Sequence, residues 1–294
     1  MELFISQLIN GLNTGSIYAL VAIGYTMVYG IIKLINFAHG EIMMFGAYFA
    51  YLFAFSLSFQ LPFLVVIVLS MFFAAILGIL IERVAYKKLR KAPRISALIT
   101  AIGMSLFLQH LAQLIFGATP YVMKPLVDTT PITILNFDIS RLTLLTIGLS
   151  ILFMILLTLF VYKTKPGKAM RAVSQDKEAA ILMGINVDNI ISLTFAIGSA
   201  LGALGGIFYA MTYSQIYPTM GVLPGLKAFI AAVFGGIGSI GGAMIGGYLI
   251  GIIETMTKAY ISSKWVDVIV FGLLIVILLF KPSGILGKNR KEKV

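Results

Sequence analysis

From residue 63 to residue 81 the chain reads FLVVIVLSMFFAAILGILI, without one charged side chain. An apolar stretch of that length is a membrane span, and backbone in hydrocarbon must satisfy its own hydrogen bonds, so it is a helix. Similar runs recur along the chain, and none alternates apolar with polar residues as a membrane barrel strand does. Composition agrees: 60% of the 294 residues are hydrophobic and 11% are charged. The expected fold is therefore all-α, a polytopic membrane protein with about eight transmembrane helices.

Spans are expected over 12–32, 42–57, 63–86, 95–117, 142–162, 190–213 and 266–280. The residues between them set the topology, because short basic loops stay on the cytoplasmic side. Of 22 Lys and Arg residues, five lie in each of the segments 87–94, 163–177 and 281–293, with Lys33 and Arg83 at inner ends of spans. Lys124, Arg141, Lys227, Lys258 and Lys264 remain for the outer side, which places the N-terminus outside and the C-terminus inside. Segment 118–141, with Pro120, Pro125 and Pro131, is the main external loop. Segment 163–189 is the main cytoplasmic loop, and 281–294 is a cytoplasmic basic tail. The whole chain reads as a single transmembrane domain. The net charge of +11 is spread in short clusters between apolar runs, as topology requires, and does not point to nucleic acid.

Region 227–256 departs from the pattern. Two apolar arms flank GGIGSIGG, with Gly235, Gly236, Gly238, Gly241 and Gly242 as candidate hinge positions. Parity requires the region to start and finish on the same face, which suggests a broken or re-entrant helix bent at these glycines. The run lacks the lysine of a phosphate loop, and no zincin or nucleophile-elbow motif occurs. The chain has no cysteine, which excludes disulfides, thiolate metal sites and cysteine catalysis.

Within 163–189, Lys165-Pro166-Gly167 reads as a turn. Ser174 is the expected N-cap of a short helix with Asp176 and Glu178 in its first turn and Gly184 as its stop. Ala179, Ala180 and Met183 are expected on one face of it, and so short a helix needs a surface to lie against, whether membrane or cytoplasmic partner. Polar residues at span ends and inside spans are pathway candidates: Asn36, His39, Glu41 and Glu254, the last also placed to pair with Lys258 one turn on. Glu82 and Arg83 read as interfacial anchors, and Gln109 and His110 as interhelical hydrogen-bonders.

Three stretches carry a family resemblance: GSIYALVAIGYTMVYGIIKLINFAHGEIMMFGAY, KTKPGKAMRAVSQDKEAAILMGINVD and PGLKAFIAAVFGGIGSIGGAMIGGYLIGIIE. They strongly resemble the permease subunits of branched-chain amino acid ABC importers, the LivH type. In such importers a short cytoplasmic coupling helix, often marked by EAA-x3-G, docks on the ATPase, and Glu178-Ala179-Ala180 with Gly184 fits that spacing. The resemblance implies a second related permease, two cytoplasmic ATP-binding subunits that hold ATP and Mg, and an external binding protein delivering leucine, isoleucine or valine. It implies no cofactor in this chain and no catalysis by it. Related permeases serve urea and short-chain amides, and a stand-alone secondary transporter is the alternative from another class.

Overall fold

The computed structural model describes residues 2–57, 59–90, 92–134 and 137–287. In chain order the helices are α1 (Glu2–Ile32), α2 (His39–Tyr51), α3 (Phe63–Ile81), α4 (Lys87–Leu89), α5 (Arg94–Phe116), α6 (Arg141–Lys163), α7 (Lys165–Gln175), α8 (Lys177–Leu182), α9 (Val187–Tyr213), α10 (Val222–Gly235), α11 (Ile240–Tyr260) and α12 (Val266–Phe280). A π-helical turn, Leu52–Ser56, prolongs α2, and another, Glu82–Tyr86, joins α3 to α4. Among the described residues there are also four short strands: β1 (Tyr121–Val122) pairs antiparallel with β4 (Gln215–Ile216), and β2 (Pro131–Ile134) with β3 (Phe137–Ser140).

Seven helices among the described residues are long and apolar enough to cross a bilayer, counting α3 through α4 as one. Helix α1 is the axis of the bundle. It packs against α6, α9, α10 and α11, so its buried residues lie all round it and not along one stripe. Glycines permit the closest of these approaches. Gly11 and Gly15 of α1 lie against the backbone at Gly251, Ile252 and Tyr248 of α11, and Gly247 and Gly251 return the contact on Ala19 and Gly15. Helix α12 is the least enclosed of the seven.

Helix α10, with 14 residues, is too short to span, about 20 Å at 1.5 Å per residue against ~30 Å of hydrocarbon. Helix α2 has 13 residues and runs on through its five-residue π-helical turn to Ser56. Helix α2 does not begin at a bundle end. The ring of His39, its first residue, fills the space that side chains at Gly24 of α1 and Gly202 of α9 would need, and Gly202 is midway along α9. Residues 33–38 therefore return into the bundle before the helix starts, which is why the span expected from 42 begins at His39.

Lys33, α4, α7, α8 and the segment 281–287 gather at one end of the bundle, the basic face. The α10–α11 pair forms the two antiparallel arms expected of 227–256. Its bend, 236–239, lies at the basic face and not inside the bundle, because Gly236 (φ +105°) and Gly238 (φ +93°) make a tight left-handed turn there. The segment after α12 closes on this turn: the amides of Ile285 and Leu286 donate to the carbonyls of Phe234 and Gly235, both at 2.9 Å, and so cap α10. The basic residues of the tail from Lys288 onward lie outside the described residues.

Candidate functional site

The loop expected to carry one helix carries two. Thr164 caps α7, its hydroxyl accepting from the Gly167 amide at 3.1 Å, and Pro166 sits in the first turn. Lys165-Pro166-Gly167 is thus a helix start, since proline's missing N–H is not needed there. Gly167 lies against the backbone of Phe160 and Val161, which folds α7 tightly back on α6. Ser174 belongs to α7 and donates its hydroxyl to the Arg171 carbonyl at 2.8 Å, so it caps nothing.

The cap of α8 is Asp176, whose carboxylate accepts from the amides of Glu178 (2.9 Å) and Ala179 (3.0 Å). Gly184 ends the helix at φ +80°, with its amide donating to Ile181 and that of Ile185 to Ala180. The expected face is corrected: Ala180 is turned into the protein at 3% exposure, while Glu178, Ala179 and Met183 point out. The apolar residues offered outward are Ile181, Leu182 and Met183, with Leu182 87% exposed. Sequence reasoning passed over Ile181 and Leu182 because a six-residue helix is too short to show a periodic face.

The start of α9, which adjoins α8, is tied by charge to the segment 82–90. Asp188, at the start of α9, pairs with Lys87 at 2.8 Å and with Arg90, and Arg90 also bonds Glu82. Glu82 is fully buried and accepts from Ser192 of α9 at 2.7 Å, so it is an interhelical tie and not a snorkelling anchor. Arg83 is exposed as expected. Burial, followed by the nearby Arg90 and Lys33, lowers the pKa of Lys177 below the ordinary lysine range.

Asn36, His39 and Glu41 come together at the internal start of α2. Asn36 accepts from the Tyr86 hydroxyl at 2.8 Å. Tyr25 stands edge-on to the His39 ring at 4.6 Å. Glu41 accepts from Ser105 (3.0 Å) and Gln109 (2.9 Å) of α5, which makes Gln109 the interhelical bonder expected of it. His110 bonds instead within α5, to Gln113 at 3.1 Å. Beside this cluster, Gly221 and Gly225 abut Gly40 backbone to backbone, so the N-termini of α2 and α10 meet inside the bundle. Each of the two breaks leaves a local signal in the sequence, although their meeting does not. Helices α2 and α10 are both apolar segments preceded by polar or Gly/Pro breaks, Asn36 to Gly40 and Pro218 to Gly225.

The hairpin glycines divide by role. Gly235 and Gly242 touch across the two arms, while Gly238 and Gly241 face open space. Glu254 pairs with Lys258 at 2.6 Å as spaced, and also with Lys227 at 3.1 Å. Lys227, assigned to the outer loops by sequence, is buried in α10 because Glu254 and, at 2.9 Å, Asp267 compensate its charge.

A bundle of spanning helices around two helices that both start inside it, end to end, with a capped helix projecting from its basic face, is the architecture of a polytopic membrane transport protein. The chain belongs to the family described as branched-chain amino acid transport system / permease component, whose model matches residues 7–279. It is 44% identical to the high-affinity branched-chain amino acid transport system permease protein LivH of Escherichia coli K12, over 99% of this chain and 98% of that one. The same identity and coverage relate it to the corresponding permease protein BraD of Pseudomonas aeruginosa. A probable LivH of Methanocaldococcus jannaschii is 31% identical over 94% of this chain and 90% of its own.

Proposed function

We propose that this chain is the permease subunit of an ATP-driven ABC importer of leucine, isoleucine and valine, worked from its basic face through α8. The observation that carries the reading is the exposed row Ile181, Leu182 and Met183 on a helix whose every other feature pins it in place. Apolar side chains in water at the end of a rigid lever are a docking surface. Covering them would contribute ~1.5–3 kcal/mol each, enough to transmit a movement of the partner. Full-length identity to LivH and BraD supports the substrate class.

In this reading two cytoplasmic ATPase subunits hold ATP and Mg and press on α8. A second related permease completes the conduit, and an external binding protein delivers the amino acid. The chain has no catalytic role and needs no cofactor of its own. It lies multi-pass in the bacterial plasma membrane, with the basic face and C-terminus in the cytoplasm and the N-terminus outside. Alternating access would then come from α8 moving α7 and α9, which it adjoins, and α6 through α7, against the α1 axis. Ala179→Asp with Leu182→Asp is expected to leave membrane insertion intact and to abolish ATP-driven leucine uptake in the reconstituted complex. Wild-type uptake by this variant would remove α8 as the docking element.

A further inference from the structure

A cavity of about 680 Å³ opens at the basic face, away from the outward row of α8. Its walls come from the end of α1, from α6 and α7, from the 237–240 turn and from the segment after α12. Four features of the wall share one chemistry. Arg171 stands over the Tyr162 ring at 5.0 Å, and its Nε has no hydrogen-bond partner among the described residues. Lys33 lines the same space. Ser239 and Ile240 open α11 there, which brings the positive end of a 21-residue helix to the wall. Thr26, only 1% exposed, also lines it, and its Oγ1 has no partner among the described residues.

None of the described lining residues is acidic. A zwitterionic amino acid would find no carboxylate among them for its ammonium group. The cavity suits a net anion with several acceptor oxygens. Met27, Ile31 and Leu286 give it an apolar side as well. Tyr162, 55% exposed on the surface of a spanning helix, stands where an interfacial aromatic meets headgroups.

We propose that this cavity binds a phosphate group, that of an anionic phospholipid, between Arg171 and the start of α11, with Thr26 donating from below. The glycerol and upper acyl carbons then lie along Met27, Ile31 and Leu286. The proposal does not depend on α8 as the ATPase contact and is tested on this chain without partners.

The test is native mass spectrometry of the purified full chain in detergent, titrated with phosphatidylglycerol, phosphatidylcholine and inorganic phosphate. Phosphatidylglycerol is expected to be retained about tenfold better than phosphatidylcholine, with Arg171→Gln removing the preference, as for loss of a charge-assisted contact. Thr26→Val, which keeps shape and removes the hydroxyl, is expected to lower retention about threefold; it decides the matter should the arginine variant fail to fold. Binding of inorganic phosphate with equal sensitivity to both substitutions, and no lipid preference, would keep the phosphate site and assign it a soluble ligand. Equal retention of both lipids without phosphate binding, or unchanged binding in both variants, overturns the proposal.

Discussion

Glu254 accepts three hydrogen bonds, from the Tyr18 hydroxyl at 2.8 Å, Lys258 at 2.6 Å and Lys227 at 3.1 Å. Lys258 is partly exposed and can turn to water, so its share is small. Lys227 is enclosed and would be left with Asp267, which is half exposed. Breaking a buried pair from one side costs ~3–5 kcal/mol. Glu254→Gln is expected to lower the thermal midpoint of the purified chain by roughly 5–10 °C, and Lys258→Met by far less. Equal midpoints in the two variants would show that the pair with Lys227 contributes nothing. Only one of these three partners was legible in the sequence: the i, i+4 spacing gave Lys258, while Lys227 and Tyr18 arrive from other helices and leave no local trace. Asp128, on the loop before β2, is held below the ordinary aspartate range by the Thr130 amide, then its hydroxyl, then Arg141. A depressed carboxylate pKa stabilises the loop above its unfolded value, and that contribution is lost as pH falls through the folded one. Amide exchange at Thr130, corrected for intrinsic rate, is therefore expected to rise only below the ordinary carboxylate range, and Asp128→Asn should abolish that step.

At the scale of the element, α8 separates folding from docking. A charge at Ala180 would be driven into the protein, where an unpaired carboxylate is costly, whereas one at Leu182 would stand in water. Ala180→Asp is expected to make the loop between Ser174 and Ile185 sensitive to protease in detergent, and Leu182→Asp is expected to leave it resistant. Protection in both would mean that Ala180 is not a packing residue. The stop of this helix was legible at Gly184, since few residues other than glycine take φ +80°. Its start was not. Ser174 and Asp176 are both capping types two residues apart, and the choice falls to α7, which consumes Ser174 as its own last turn. Proline-glycine at 166–167 was equally two-sided, being a turn signal and a first-turn signal at once.

For the whole molecule, apolar runs and basic clusters were enough to lay out the long spans, because each is a local property of 20 or so residues. The meeting of α2 and α10 was not legible, since the Gly40–Gly221 contact joins halves of the chain 181 positions apart. That meeting also governs orientation. Residues 33–38 enter from the basic face and α2 leaves toward β1 and β4, while 214–221 enter from the β4 side and α10 leaves toward the basic face. The two broken segments thus run in opposite senses, and each needs the other to cover its start. It follows that the basic face is one surface and the turn between α11 and α12 belongs to the other. The chain has no cysteine, so a single introduced one reports its side without ambiguity. Ser263→Cys, exposed in that turn, is expected to react with an impermeant maleimide in intact spheroplasts. Leu182→Cys, also exposed, on α8, is expected to react only after the membrane is opened. The reverse pattern would invert the orientation and place α8 beyond the reach of any cytoplasmic ATPase. Labelling of both in intact cells would mean that the two surfaces are not separated by the bilayer, and the paired broken helices would then have no opposite sides to serve.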